Sequence, residues 1–178
     1  MTLVNAFTTI IFIFPLSFSF AVQLLVESAV IDSEDKFESL GRSRLIQALV
    51  LLFGLLSTTI FFIIVNNLPN GIMSFYISKS KMKDLAVKAL IAYSYVFFVD
   101  SIQCLSFGIM KGIGIHHYVF VHSIICLWVI GLGSALLLTF LGDFGIIGLY
   151  WGYGNGLLAL TLCNIYYICR AKWEMVVM

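Results

Sequence analysis

Five long runs of apolar residues, separated by short polar or charged segments, organise the chain. They fall at 3–31, 45–68, 86–110, 118–141 and 146–169, and each is as long as the ~20 residues an α-helix needs to cross the hydrocarbon of a bilayer. The second run is apolar almost all round, which marks lipid contact or core rather than a two-faced surface helix. Between the first two, 32–44 carries four acids and three bases and reads as a solvated loop. Asn66, Asn67, Pro69 and Gly71 end the second run with turn chemistry. The stretch 72–83 reads as a short interfacial segment, with Phe75 and Tyr76 at headgroup level and Lys79, Lys81 and Lys83 in water. Asp143 and Gly145 make the turn before the last run. The pattern predicts an all-α, polytopic membrane helix bundle of about five transmembrane helices, forming a single transmembrane domain over 1–178.

Composition agrees, since 61% hydrophobic residues, 11% charged residues and a mean hydropathy of +1.06 exclude a soluble globular domain. The implied surroundings are a lipid bilayer. A net charge of +1 leaves neither a nucleic-acid patch nor an acidic tail. The first run lacks a basic flank and a small-residue cleavage site before it, so it reads as a retained helix and not as a signal peptide. Cys104, Cys126, Cys163 and Cys169 lie in or beside apolar runs without ligand spacing and read as small packing residues, not as metal ligands or disulfides. Lys36, Arg42, Arg44, Lys111, Arg170 and Lys172 fall on one side of the membrane, against Lys79, Lys81, Lys83 and Lys88 on the other. That bias favours the first side as cytoplasmic, with the N-terminus outside and the C-terminus in the cytoplasm.

Candidate chemistry is sparse in so apolar a chain. Asp100 stands deep within the third run, where a charge costs on the order of 3 kcal/mol on insertion scales, so it calls for a cavity, a partner or an ion path. Gln103, three residues on, shares its helix face, and Tyr93 lies two turns before it on roughly the same face. Tyr93 reads equally well as an interfacial belt residue. In the first run Pro15 removes a backbone hydrogen bond and predicts a kink, with Ser17, Ser19 and Gln23 following. His116, His117 and His122 do not have the three- or four-residue separation of a helical metal pair and read as interfacial residues. Gly131 and Gly133 lie mid-run in the fourth crossing, and Gly145, Gly148, Gly152 and Gly156 recur at the spacing that brings transmembrane helices close. No strand precedes those glycines, so they are not a nucleotide loop. No nucleophile, base and oxyanion constellation appears, so no enzyme is expected.

The pattern Asp100-x-x-Gln103, followed by Gly108-x-x-Lys111-Gly112-x-Gly114, resembles the signature in the second half of multidrug and toxic compound extrusion (MATE) transporters. Gly131, then Gly145-x-x-Gly148-x-x-Trp151-Gly152, then Trp173-Glu174 extend the resemblance, and Pro15, Ala21 and Val26 fit it more loosely. Glu27 and Ser28 stand where the family has Gly and Asn, and Gly133 where it has Pro. The resemblance implies export of organic cations, xenobiotics or small amphipathic solutes by proton or sodium antiport. It implies no cofactor beyond the coupling H+ or Na+. Asp100, Gln103 and Tyr93 become the ion- or substrate-site candidates, with Pro15, Gly108, Gly112, Gly114, Gly131, Gly148 and Gly152 in structural roles. The family is built from two bundles of six helices. Five crossings match the second bundle without its first helix, which in the family carries an acid that works with the carboxylate at Asp100. The expectation is therefore a partial transporter, not competent alone, whose partners are a missing N-terminal bundle, a second copy or a larger membrane complex. The alternative is a non-transporting structural or degenerate membrane subunit of a larger assembly.

Overall fold

The structure, a computed structural model, describes residues 2–31, 36–74 and 80–171, and all regular structure among them is helical. Helix α1 (Thr2–Ile31) runs through Pro15, α2 spans Lys36–Asn67, and α3 is the short Pro69–Ser74. Helix α4 spans Ser80–Gly112. The fourth crossing changes pitch along its length: α5 (His117–Ser123), the π-helical segment π1 (Ile124–Leu132), α6 (Gly133–Leu136) and a second π-helical segment π2 (Leu137–Leu141) follow one another. Helix α7 (Ile146–Arg170) ends the described chain. Five stretches are long and apolar enough to cross a membrane: Ile11–Ser28, Arg44–Asn67, Lys83–Gly112, His117–Leu141 and Ile146–Arg170. The protein is an integral, multi-pass helical bundle.

Two expected connections are corrected. The segment 36–44, expected to be loop, is the start of α2, and α4 begins at Ser80 rather than at 86. An apolar run marks only the length of helix that lies in hydrocarbon. The backbone ladder continues past it, because straight-chain residues such as Glu38, Arg42, Lys81 and Lys83 favour helix. Of the interfacial segment expected over 72–83, residues 72–74 belong to α3 and 80–83 to α4. Pro69 opens α3, where its fixed φ suits a first turn. The rest of the acidic loop (32–35), Phe75, Tyr76, Lys79, Lys172, Trp173 and Glu174 lie outside the described residues.

Helix α4 is the axis of the bundle. Half of its membrane window is buried inside the protein, against 17% for α2 and 17% for the fourth crossing. It packs on α1, α2, α3 and α7. Three apolar clusters follow it along its length. Val65, Met73, Ala86 and Leu90 join α2, α3 and α4. Val22, Val26, Leu105, Ile109 and Ile113 join α1 to α4 and the turn after it. Met110, Val119, Cys126 and Leu160 join α4, the fourth crossing and α7. Elsewhere large apolar side chains point outward, among them Phe53, Trp128, Val129 and Phe140. In water such a surface would aggregate; in hydrocarbon it is the ordinary solvent-facing side.

The fourth crossing and α7 are antiparallel and meet through small residues. A Cβ on Gly156 would lie 2.7 Å from the Gly131 Cα, one on Gly152 would overlap the Ala135 backbone, and one on Gly148 would lie 2.9 Å from the Thr139 nitrogen. The contacts step by four residues up one helix and down the other, which is the small-xxx-small mode of membrane packing. Ser134 adds a hydroxyl bond across the seam to the Gly152 carbonyl at 3.2 Å. Gly133, by contrast, has nothing within 4 Å of its Cβ position. The pitch switches from π to α at that residue. The turn into α7 places Asp143 and Gly145 at φ of 54° and 55°, a left-handed conformation that Asp tolerates and Gly adopts without strain.

Candidate functional site

Position on α4 decides the surroundings of Asp100. Parallel to it runs α7, in a register shown by Tyr93 against Tyr150 (ring centroids 6.1 Å apart), Gly154 against Val96, and the hydrogen bond from Asn164 to Ser106 (3.2 Å). This places Asp100 level with the middle of α7. The carboxylate is half-buried. It lies close enough to Tyr153 of α7 and to Cys104, one turn on, to interact electrostatically with both. Among the described residues it has no hydrogen-bond or ion-pair partner. Gln103 is also half-buried, and its backbone carbonyl accepts the Ser106 hydroxyl at 2.7 Å. The Tyr93 ring meets Phe97 and Tyr150.

The glycines after Asp100 let α1 approach α4. A Cβ on Gly108 would overlap the Ser19 carbonyl oxygen, and one on Gly112 would lie 2.7 Å from the Val26 Cβ. Pro15 is buried about one turn before Ser19 on the same helix. Gly114, at φ 76°, makes the turn out of α4 and has nothing against it. Lys111 sits at the mouth of this turn with its ammonium 4.4 Å from the Phe107 ring centroid and 5.5 Å from that of Phe20, a cation–π arrangement at the membrane edge.

Several polar side chains tie the crossings together in pairings the sequence did not indicate. Asn66 of α2 donates to the Ser94 hydroxyl of α4 at 3.0 Å. Asn164 of α7, itself 1% exposed, donates to Ser106 of α4. His122 uses both ring nitrogens: Nδ1 faces the Tyr118 carbonyl at 2.6 Å, which must accept, so Nε2 accepts the Tyr167 hydroxyl at 3.1 Å in the neutral ring. Tyr118 stacks on Tyr167 at 5.0 Å, and this His and Tyr cluster staples the start of the fourth crossing to the end of α7. Tyr153 beside Asp100 was also unsignalled, because only the offset between α4 and α7 brings it there. No group of three or more His, Cys, Asp or Glu side chains among the described residues is placed to hold a metal ion.

The comparisons with known proteins fit this architecture. The model of the MatE family matches residues 1–137, more than half of the chain. The chain is 26% identical over 95 residues to the probable multidrug resistance protein NorM of Pseudomonas putida, an alignment covering 51% of this chain and 21% of that protein. It is 30% identical over 93 residues to Protein DETOXIFICATION 30 of Arabidopsis thaliana, covering 52% of this chain and 18% of that one. With Protein DETOXIFICATION 31 of the same plant the identity is 26% over 81 residues, covering 46% and 16%. The chain thus spans about a fifth of the length of the curated relatives it matches. A helical multi-pass bundle whose family match runs through Asp100, Gln103 and the glycine turn that follows them belongs to the MatE family of multidrug and toxic compound extrusion transporters.

Proposed function

We propose that this chain carries the coupling-ion site of a MATE-type exporter, with Asp100 as the carboxylate that takes up H+ or Na+ and Gln103 as its polar neighbour. The observation that supports this reading is the place of Asp100: half-buried on the most buried crossing, with no hydrogen-bond or ion-pair partner among the described residues. A carboxylate inside a bilayer is tolerated when a proton, a cation or an opposite charge neutralises it, and the first two are what an antiporter exchanges. The cargo is an organic cation or a small amphipathic xenobiotic, consistent with the multidrug-resistance and detoxification names of the relatives. No catalytic step is assigned.

Transporters built from repeated bundles place their sites between or within the two halves and move one half against the other. Five crossings correspond to most of the second bundle, so export needs a further bundle, supplied by additional polypeptide, by a second copy or by a larger membrane complex. The N-terminus lies outside and the C-terminus in the cytoplasm, following the excess of Lys and Arg on the side of Arg44, Lys111 and Arg170.

Purified chain in liposomes tests this. The expected result is no gradient-coupled efflux of a fluorescent organic cation by the chain alone, together with sodium or proton uptake at a site that Asp100→Asn removes. Ion binding indifferent to Asp100→Asn would replace this reading with a non-transporting structural subunit.

A further inference from the structure

Over α4, α1 and α2 part to leave a lateral cleft of about 240 Å³. Pro15, Thr58, Phe97 and Leu105 form its buried floor, with Phe97 only 2% exposed. Phe14, Ile60 and Ile64 form its rim, and these are 66%, 57% and 46% exposed on the lipid-facing surface. The cleft is therefore open sideways and continuous with the surface that hydrocarbon covers. Its depth is equally defined, because Pro15, Thr58 and Phe97 all lie inside their membrane windows.

The chemistry of the walls selects the occupant. Two hydroxyls reach the cleft, and both are already bonded within α2: Thr58 donates to the Gly54 carbonyl at 3.0 Å, and Ser57 to the Phe53 carbonyl at 2.9 Å. Pro15 offers ring carbons and no N–H. Water would find no partners there, and a polar ligand no recognition. An empty space would forfeit the dispersion contacts of four aromatic rings, Phe14, Phe18, Phe61 and Phe97. The cleft opens sideways onto the hydrocarbon-facing surface through Phe14, Ile60 and Ile64, so a flexible apolar chain already in the bilayer reaches it directly. We propose that this cleft is a binding site for one acyl chain of a bilayer lipid, entering sideways between α1 and α2 and ending against Pro15 and Phe97. The proposal does not depend on Asp100 or on export.

The test uses the full chain in bilayers, with Trp128, Trp151 and Trp173 replaced by Phe and Phe97→Trp as reporter, in lipids brominated midway along the acyl chain. The expected result is strong quenching of the reporter, at least about twofold relative to unbrominated lipid. Ser57→Phe at the rim should relieve it, while a lipid-facing Leu52→Trp reporter stays quenched with or without Ser57→Phe. Should Phe97→Trp fail to fold, Phe61→Trp on the cleft wall reads the same event. Quenching that is absent, or equal with and without Ser57→Phe, overturns the proposal. Absent quenching combined with disulfide cross-linking of Ile60→Cys between copies would assign the cleft to a second copy of the chain, and that also overturns it.

Discussion

Asn164 of α7 donates to the Ser106 hydroxyl of α4 across a buried contact of 3.2 Å, and Ser106 at the same time donates to the Gln103 carbonyl of its own helix. The relay ties α7 to the turn of α4 that carries the candidate site. It also limits what its loss would cost. Replacing Asn164 by Leu leaves Ser106 with its donor still satisfied, so the destabilisation should be close to the roughly 0.6 kcal/mol typical of interhelical hydrogen bonds in membranes. Asn164→Asp instead puts a second carboxylate in the bilayer, at on the order of 3 kcal/mol. Unfolding in mixed micelles, with the two variants compared in one denaturant series, measures the difference. Equal costs would contradict the placement.

A sharper contrast is expected along the seam between the fourth crossing and α7. Gly152→Val forces atoms into the Ala135 backbone, so the helices must separate, and such overpacking costs about 1–3 kcal/mol or more. Gly133→Ala meets nothing within 4 Å and should fall within about 0.5 kcal/mol of the parent. Thermal unfolding in detergent should rank Gly152→Val far below Gly133→Ala, and a reversed order would place the seam elsewhere.

The crossings themselves were legible because length and apolarity are counted along one chain. All five expected runs coincide with spanning helices, and the expected last run, 146–169, ends one residue short of Arg170. The charged ends were not legible: Lys36 to Arg44 and Ser80 to Lys83 look like loop by hydropathy, although helix hydrogen bonding is indifferent to whether its side chains are hydrated. The pitch change in the fourth crossing left no mark either, since Ile124–Leu132 is apolar on every face and such a run carries no period. At the candidate site Asp100 stood out by its cost in hydrocarbon, and Gln103 by its spacing. Tyr153, Asn164 and the pairing of His122 with Tyr167 depend on the register between helices far apart in sequence, which one sequence does not encode in any local pattern.

That last pairing makes its own prediction. Tyr167→Phe removes the hydroxyl that His122 Nε2 accepts but keeps the stacked ring on Tyr118, so it should cost no more than about 1.7 kcal/mol, the upper end for such bonds in membranes. Tyr167→Ala also removes the ring and should cost clearly more. Similar losses for the two would mean that the stacking contributes nothing.

Topology is checked with cysteine-free protein carrying single exposed cysteines at Gly41, in the first turns of α2, or at Ser74, the last residue of α3 beyond the other end of α2. A membrane-impermeant thiol reagent applied to sealed cells should label Ser74→Cys from outside and reach Gly41→Cys only after permeabilisation. Labelling of both from one side would remove the crossing by α2.

The central claim is that Asp100 exchanges a proton or sodium within the bilayer. Infrared difference spectra of the carboxyl band, recorded across a pH titration with and without sodium, test it most directly when the parent is compared with Asp100→Asn. The account predicts a carboxyl band that responds to pH or to sodium and is absent from Asp100→Asn, with the variant otherwise folded. A band indifferent to both, or a response that survives in Asp100→Asn, would contradict it.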